Sequence, residues 1–201
     1  MILRTLSGIT AYRMHVPKWA VVPTSGAGAG RHGGRANRIG LNALYLALDA
    51  DTAVREYQQI SPLMPPGTLV SYQLTIAPIV DFTSGYQSGM WSALWEDFYC
   101  DWRGCWFNQR IEPPSWIIGD EVIAVGGKGI LFKSRLSADG VNLVLYVDEL
   151  VSTDRLDVYV HSVHFHEINP PVHNRPDSTR HALPSAPARR RQARQARSPY
   201  R

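Results

Sequence analysis

Between residues 23 and 40, six glycines at 26, 28, 30, 33, 34 and 40 interleave with Arg31, His32, Arg35 and Arg38. A glycine at every second or third position costs too much backbone entropy for a strand or helix interior, so this stretch reads as a loop, and a basic one. The rest of the chain has to be organised around it. Residues 41–48, directly after it, read as a buried apolar strand. Asp49 or Asp51 then offers an N-cap for a helix running to about Gln59. Ala53, Val54, Tyr57 and Ile60 form the apolar stripe of that helix. Glu56 falls at the edge of the stripe beside Ala53 and Ile60, where a carboxylate can be half-buried and face a cleft.

Farther on, residues 69–76 and 79–82 read as strands broken at Pro78, and 91–100 as helical. A second helix is expected over 115–125, after Pro113-Pro114 and before Gly126-Gly127. Strands follow at 129–133 and 142–147, joined by a turn at Asp139-Gly140, with a last strand over 156–165. Strands and helices mix without regular alternation, which predicts an α+β fold: one domain over residues 1–168 with a mixed central β-sheet flanked by helices.

Residues 169–201 have a different composition. From Pro170 onward the chain is rich in Pro, Ala, Arg and Ser and poor in large apolar residues, so it is expected to be disordered. Eight arginines against the single acid Asp177 give residues 170–201 a charge of +7, leaving 13 basic and 16 acidic residues in 1–169. The high pI therefore belongs to the tail, and the folded part is mildly acidic. Ala188 to Arg197 can become a short basic helix on an anionic partner, although a merely solvated extension is the simpler expectation.

No run of 18 apolar residues occurs, and the N-terminus lacks the order of a signal peptide, so a cytoplasmic protein without membrane attachment is expected. Cys100 and Cys105 lie in a tryptophan-rich stretch (Trp91, Trp95, Trp102, Trp106) with no second pair to complete a zinc site, and reduced structural thiols are expected. His161, His164, His166 and His173 are the other candidate ligand set. In an extended strand His164 and His166 share a face while His161 points the other way, so no metal is expected there.

Arg35 follows two glycines that let a backbone approach a ligand closely, and its planar fork suits a pyrophosphate. Arg31 and Arg38 are its local competitors. Tyr45 lies ten residues after Arg35 and Glu56 eleven after Tyr45, and Ser134 ends the strand that begins at Gly129. No nucleophile elbow surrounds Ser134 and no paired base is identifiable, so it is not expected to be a hydrolase nucleophile.

The set Gly33-Gly34-Arg35-Ala36-Asn37, Tyr45, Glu56 and Gly129 to Ser134, followed by Arg135, Gly140 and Asn142, resembles the RES-domain family, named for its Arg, Glu and Ser. The likeness runs from about Tyr12 to Asp148. It departs at Ala36, where many relatives carry tryptophan, which bears on the shape of the loop and not on the arginine. Members are mostly bacterial toxins that consume NAD. The resemblance implies a fold similar to ADP-ribosyltransferases, NAD as substrate in a cleft, and no cofactor. Catalytic roles are implied for Arg35, Glu56 and Ser134. Ligand contacts are implied for Arg35, Tyr45, Gly34, Asn37, Arg31 and Asn142. It also implies a cognate Xre-type antitoxin and a homo-oligomer formed through that complex. Phosphate, water and a protein side chain remain open as acceptors, the last making the protein a mono-ADP-ribosyltransferase. A noncatalytic module whose tail contacts nucleic acid is the alternative of another class.

Overall fold

In the computed structural model, which describes residues 1–160, the central strands carry apolar side chains on both faces. On β4 (Gly129–Lys133) and β5 (Val141–Tyr146), Ile130, Phe132, Val144 and Tyr146 join a cluster with Phe82, Trp95, Phe98, Ile118 and Val122. Leu131, Leu143 and Leu145 point the other way, onto Leu44, Leu46, Val70, Tyr72 and Leu74. Strands without a polar face belong in the middle of a covered sheet.

Both are flanked accordingly. β5 lies between β4 and β2 (Ala43–Ala47), and the sheet order is β1-β2-β5-β4-β3-β6. β1 (Leu3–His15) also pairs with β3 (Thr68–Asp81), so the first five strands close on themselves and β6 (Arg155–Val160) extends β3. Among the strands of the described residues only β3 and β4 run parallel, where Val80 and Asp81 face Ile130 and Leu131, and the sheet is mixed as expected. Helix α3 (Pro114–Ala124) covers the Phe82–Tyr146 face together with the 3₁₀ turn Ala93–Tyr99.

Four expectations need correction. Residues 68–81 form one strand, not two, because opposite Ala77-Pro78 the β1 register shifts between Arg4 and Leu6, and a bulge accommodates a residue that has no N–H to donate. The strand β1 was not anticipated at all. Its two register shifts, at Arg4/Leu6 and Ser7/Ile9, with Gly8 at φ +62°, break the alternation by which a strand is read. The glycine-rich stretch contains a short helix, α1 (Ala27–His32). A Cβ at Gly26 would meet the Ala43 backbone and one at Gly30 the Asn42 side chain, so these glycines let the helix lie close on β2. Finally, α2 (Ala50–Gln58), capped by Asp49 accepting from the Thr52 N–H at 2.7 Å, ends before Ile60. Gln59 turns to φ 55°, and Ile60 is 94% exposed instead of on the stripe.

Beside the closure of β1 and β3, His15 is 7% exposed and its Nε2 lies 2.7 Å from the Tyr72 hydroxyl. That hydroxyl spends its only hydrogen on the Pro23 carbonyl at 2.8 Å, so the His15 Nε2–H donates to it. Burial, and secondly Arg13, hold the His15 pKa down to about 4. The unfolded chain therefore binds one proton more between pH 4 and about 6.5, and stability falls as pH falls through that window. Thermal unfolding of the wild type is expected to lose up to about 3 kcal/mol there, and His15→Gln to flatten that part of the profile.

No helix among the described residues is long and apolar enough to cross a membrane. Histidines 161, 164, 166 and 173 and the tail from residue 169 lie outside the described residues.

Candidate active site

β2, β4 and β5 each present alternate residues to one face of the sheet, and on that face a cavity of about 710 Å³ opens between α1, α2 and residues 99–107. That volume is within the range of small-molecule sites. Its wall includes Gly34, Arg35, Tyr45, Glu56 and Asn142, five of the residues singled out from the sequence.

Glu56 is placed by α2 and is partly buried. Its Oε1 accepts from the Ser134 hydroxyl at 2.7 Å and from the Asn142 amide at 2.6 Å. Ser134, just past the end of β4, and Asn142 on β5 thus fix one carboxylate oxygen and leave Oε2 for a ligand. Ser134 Oγ also accepts from the N–H groups of Leu136 at 3.0 Å and Ser137 at 3.2 Å, and its own hydrogen is committed to Glu56. Ser134 therefore orients the carboxylate; it has no free proton or base for nucleophilic attack. It borders a second, shallower hollow shared with Tyr99, Lys133 and Arg135.

Arg35 Nη1 donates to the Phe98 and Cys100 carbonyls at 3.3 and 3.2 Å, and its guanidinium lies 5.6 Å from the Tyr99 ring centre. Burial lowers its pKa, yet a guanidinium stays charged in any protein. Arg13 is in the same position: it donates to the Tyr45 carbonyl at 3.3 Å and burial lowers its pKa. Neither has a carboxylate partner among the described residues. A desolvated cation without a counter-charge is costly, and an anionic ligand removes that cost. Arg103, Lys133 and Arg135 line the same cavity, so five cations surround the one carboxylate Glu56 in a domain that is acidic overall. Such a concave cationic wall concentrates anions.

The loop that carries Arg35 is held by buried groups. Tyr45 donates to Asn37 Oδ1 at 2.8 Å and accepts from the Ala36 N–H at 3.0 Å. Burial raises its pKa far above that of an ordinary phenol, which keeps it a donor. Trp116 Nε1 donates to the Gly34 carbonyl at 2.7 Å, and the Tyr146 hydroxyl donates to the Ala36 carbonyl at 3.0 Å. Ala36, the departure noted in the sequence, is thus fully buried and anchored through both of its backbone groups. A Cβ at Gly34 would collide with Asn37 and Tyr45, so this glycine is needed for packing as well as for access to the cavity.

Two of the residues singled out lie elsewhere. Arg31 is exposed on α1 and does not belong to the cavity wall. Asn37 is fully buried, its Nδ2 donating to the carbonyls of Ala29, Arg38 and Leu41 at 3.0 to 3.1 Å. Its polar atoms are all used in building the loop. Arg38, the other local competitor, pairs with Asp120 and with Glu112. Asn37→Ala is expected to destabilise the fold by about 2–4 kcal/mol, since the Leu41 carbonyl loses its donor, the Tyr45 hydroxyl loses its acceptor, and the Ala29 and Arg38 carbonyls keep only a backbone N–H each. Chemical denaturation measures this, and a loss below about 1 kcal/mol contradicts the anchoring role.

A family model described as RES domain matches residues 10–166. Among solved structures, the chain resembles the M. tuberculosis MbcT–MbcA toxin–antitoxin complex at 20% identity, over 77% of this chain and 84% of that one, with a TM-score of 0.53. At that identity the likeness is one of fold. No curated protein matches the chain.

Proposed function

Because the chain belongs to the RES domain family, we propose that it cleaves the bond between nicotinamide and ribose in NAD and acts as the toxin of a toxin–antitoxin pair. The observation that supports this most is Glu56: a carboxylate with one oxygen fixed by Ser134 and Asn142, set in a cavity whose other charged residues are cations.

The cations take the pyrophosphate, Arg35 foremost by its fork. Glu56 Oε2 meets the ribose next to the scissile bond. As the C–N bond breaks, its electron pair goes to the nicotinamide nitrogen, which leaves neutral, and positive charge grows on the ribose. A fixed anion stabilises that charge without having to reorganise. No general acid is required, and none is assigned. The cation is then captured by an acceptor oxygen: inorganic phosphate gives ADP-ribose 1″-phosphate, and water gives ADP-ribose with release of a proton. Consumption of NAD in the cytoplasm by either route is toxic, and a cognate antitoxin with an Xre-type DNA-binding domain restrains it by covering the cavity, within an assembly that brings copies of the toxin together.

Chromatography of the ribosyl product, formed in phosphate-containing and phosphate-free buffer, tests the reaction. Phosphorylated ADP-ribose identifies phosphorolysis and free ADP-ribose hydrolysis. ADP-ribose attached covalently to protein, with no free product, contradicts both and assigns transfer to a side chain.

A further inference from the structure

The wall contributed by residues 99–107 differs from the rest of the cavity. Trp102 and Phe107 both line it, with ring centres 6.1 Å apart and planes inclined by 53°. They are five residues apart in sequence: Trp102 lies just before the π-helical turn Gly104–Gln109 and Phe107 within it. Trp102 is 8% exposed, whereas Phe107 is 46% exposed. A phenyl ring left half in water on a concave wall forfeits burial that a flat ligand restores.

The Arg103 guanidinium sits 4.7 Å from the centre of the Trp102 ring and has no carboxylate partner among the described residues. On the α1 side of the same cavity Gly28, Ala29 and Gly33 stand beside the exposed His32, and a Cβ added at Gly28 would meet nothing within 4 Å. An aromatic, positively charged wall in a cavity that also has open space at Gly28 suits a planar, electron-rich ring attached to phosphate.

We propose that Trp102 and Phe107 form a nucleobase subsite that stacks the adenine of the dinucleotide and makes the enzyme select NAD over nicotinamide mononucleotide. This rests on the NAD reading above. The subsite is tested by calorimetric titration with AMP and by nicotinamide release from NAD and from nicotinamide mononucleotide. Wild type is compared with Phe107→Ala and Gly28→Leu. The leucine extends into open space and replaces a poor helix former with a good one, so its thermal midpoint holds or rises.

Wild type is expected to bind AMP and to prefer NAD. Each variant is expected to weaken AMP binding and raise the KM for NAD about tenfold, as loss of one base stack does, with mononucleotide kinetics unchanged. No binding of AMP by wild type, equal use of the two substrates, or AMP binding untouched by both variants overturns the subsite. Absence of nicotinamide release from either substrate, with AMP binding still lost in the variants, removes the catalytic reading and leaves the subsite standing.

Discussion

Glu56→Gln is expected to lower the rate of nicotinamide release at saturating NAD by about a hundred- to a thousandfold, the loss typical of one removed electrostatic contact to a transition state. The substitution isolates charge from shape. A glutamine Oε1 can still accept from Ser134 and Asn142, which donate to the carboxylate at 2.7 and 2.6 Å, so the cleft and its stability are retained. What disappears is the negative charge that the proposed reaction sets against the ribose. Since NAD carries little positive charge at the anomeric carbon before the bond breaks, the KM should change only a few-fold. Ser134→Ala removes one of the two bonds that fix Oε1 and is expected to fall between wild type and Glu56→Gln. A large rise in KM with kcat preserved in Glu56→Gln would make the residue a binding group and not a stabiliser of charge.

Arg35→Ala has the converse signature. The guanidinium is desolvated and has no acid partner among the described residues, so its worth lies in the anion it receives. Loss of a charge-assisted, two-pronged contact is expected to weaken NAD and ADP-ribose binding about a hundredfold. The structure adds a second cost: the Phe98 carbonyl loses its donor, the Cys100 carbonyl keeps only the Trp102 N–H, and residues 99–107 lose an anchor at the cavity wall. Arg35→Lys keeps the charge but not the fork, and is expected to recover less than half of the lost binding energy. Full recovery by lysine, measured by calorimetry with ADP-ribose, would reduce Arg35 to a point charge.

The elements that the sequence makes legible are those with local signals. β4 is bounded by Gly129 and Lys133 as its apolar run predicts, α2 starts at the Asp49 cap, and α3 begins within one residue of the expected position, after Pro113. The failures share a cause, which is that packing partners distant in sequence decide the outcome. β1 is hidden because its bulges against β3 move the apolar residues from one face to the other. The helix α1 is hidden because its glycines read as freedom, whereas Gly26 and Gly30 serve close contact with Ala43 and Asn42.

The site follows the same division. Glu56, Ser134 and Asn142 form one hydrogen-bonded group, as their grouping by family resemblance suggests. Arg13 and Arg103 carry no signal of their own, and Lys133 and Arg135 stand out only as neighbours of Ser134, because all four come from separate segments in a region whose charge is −3 and only the fold gathers them. Arg13 sits on the strand that was itself missed. Asn37 carries the family pattern but acts inside the loop, a distinction that residue type alone does not reveal.

The central claim is that Glu56 drives loss of nicotinamide from NAD. Its most direct test is a time course of nicotinamide release from NAD by purified wild type and by Glu56→Gln of equal thermal midpoint, in phosphate-containing buffer. The account predicts multiple turnovers by wild type and a rate at least a hundredfold lower for the variant. Equal rates for the two proteins, or no release by wild type, would contradict it.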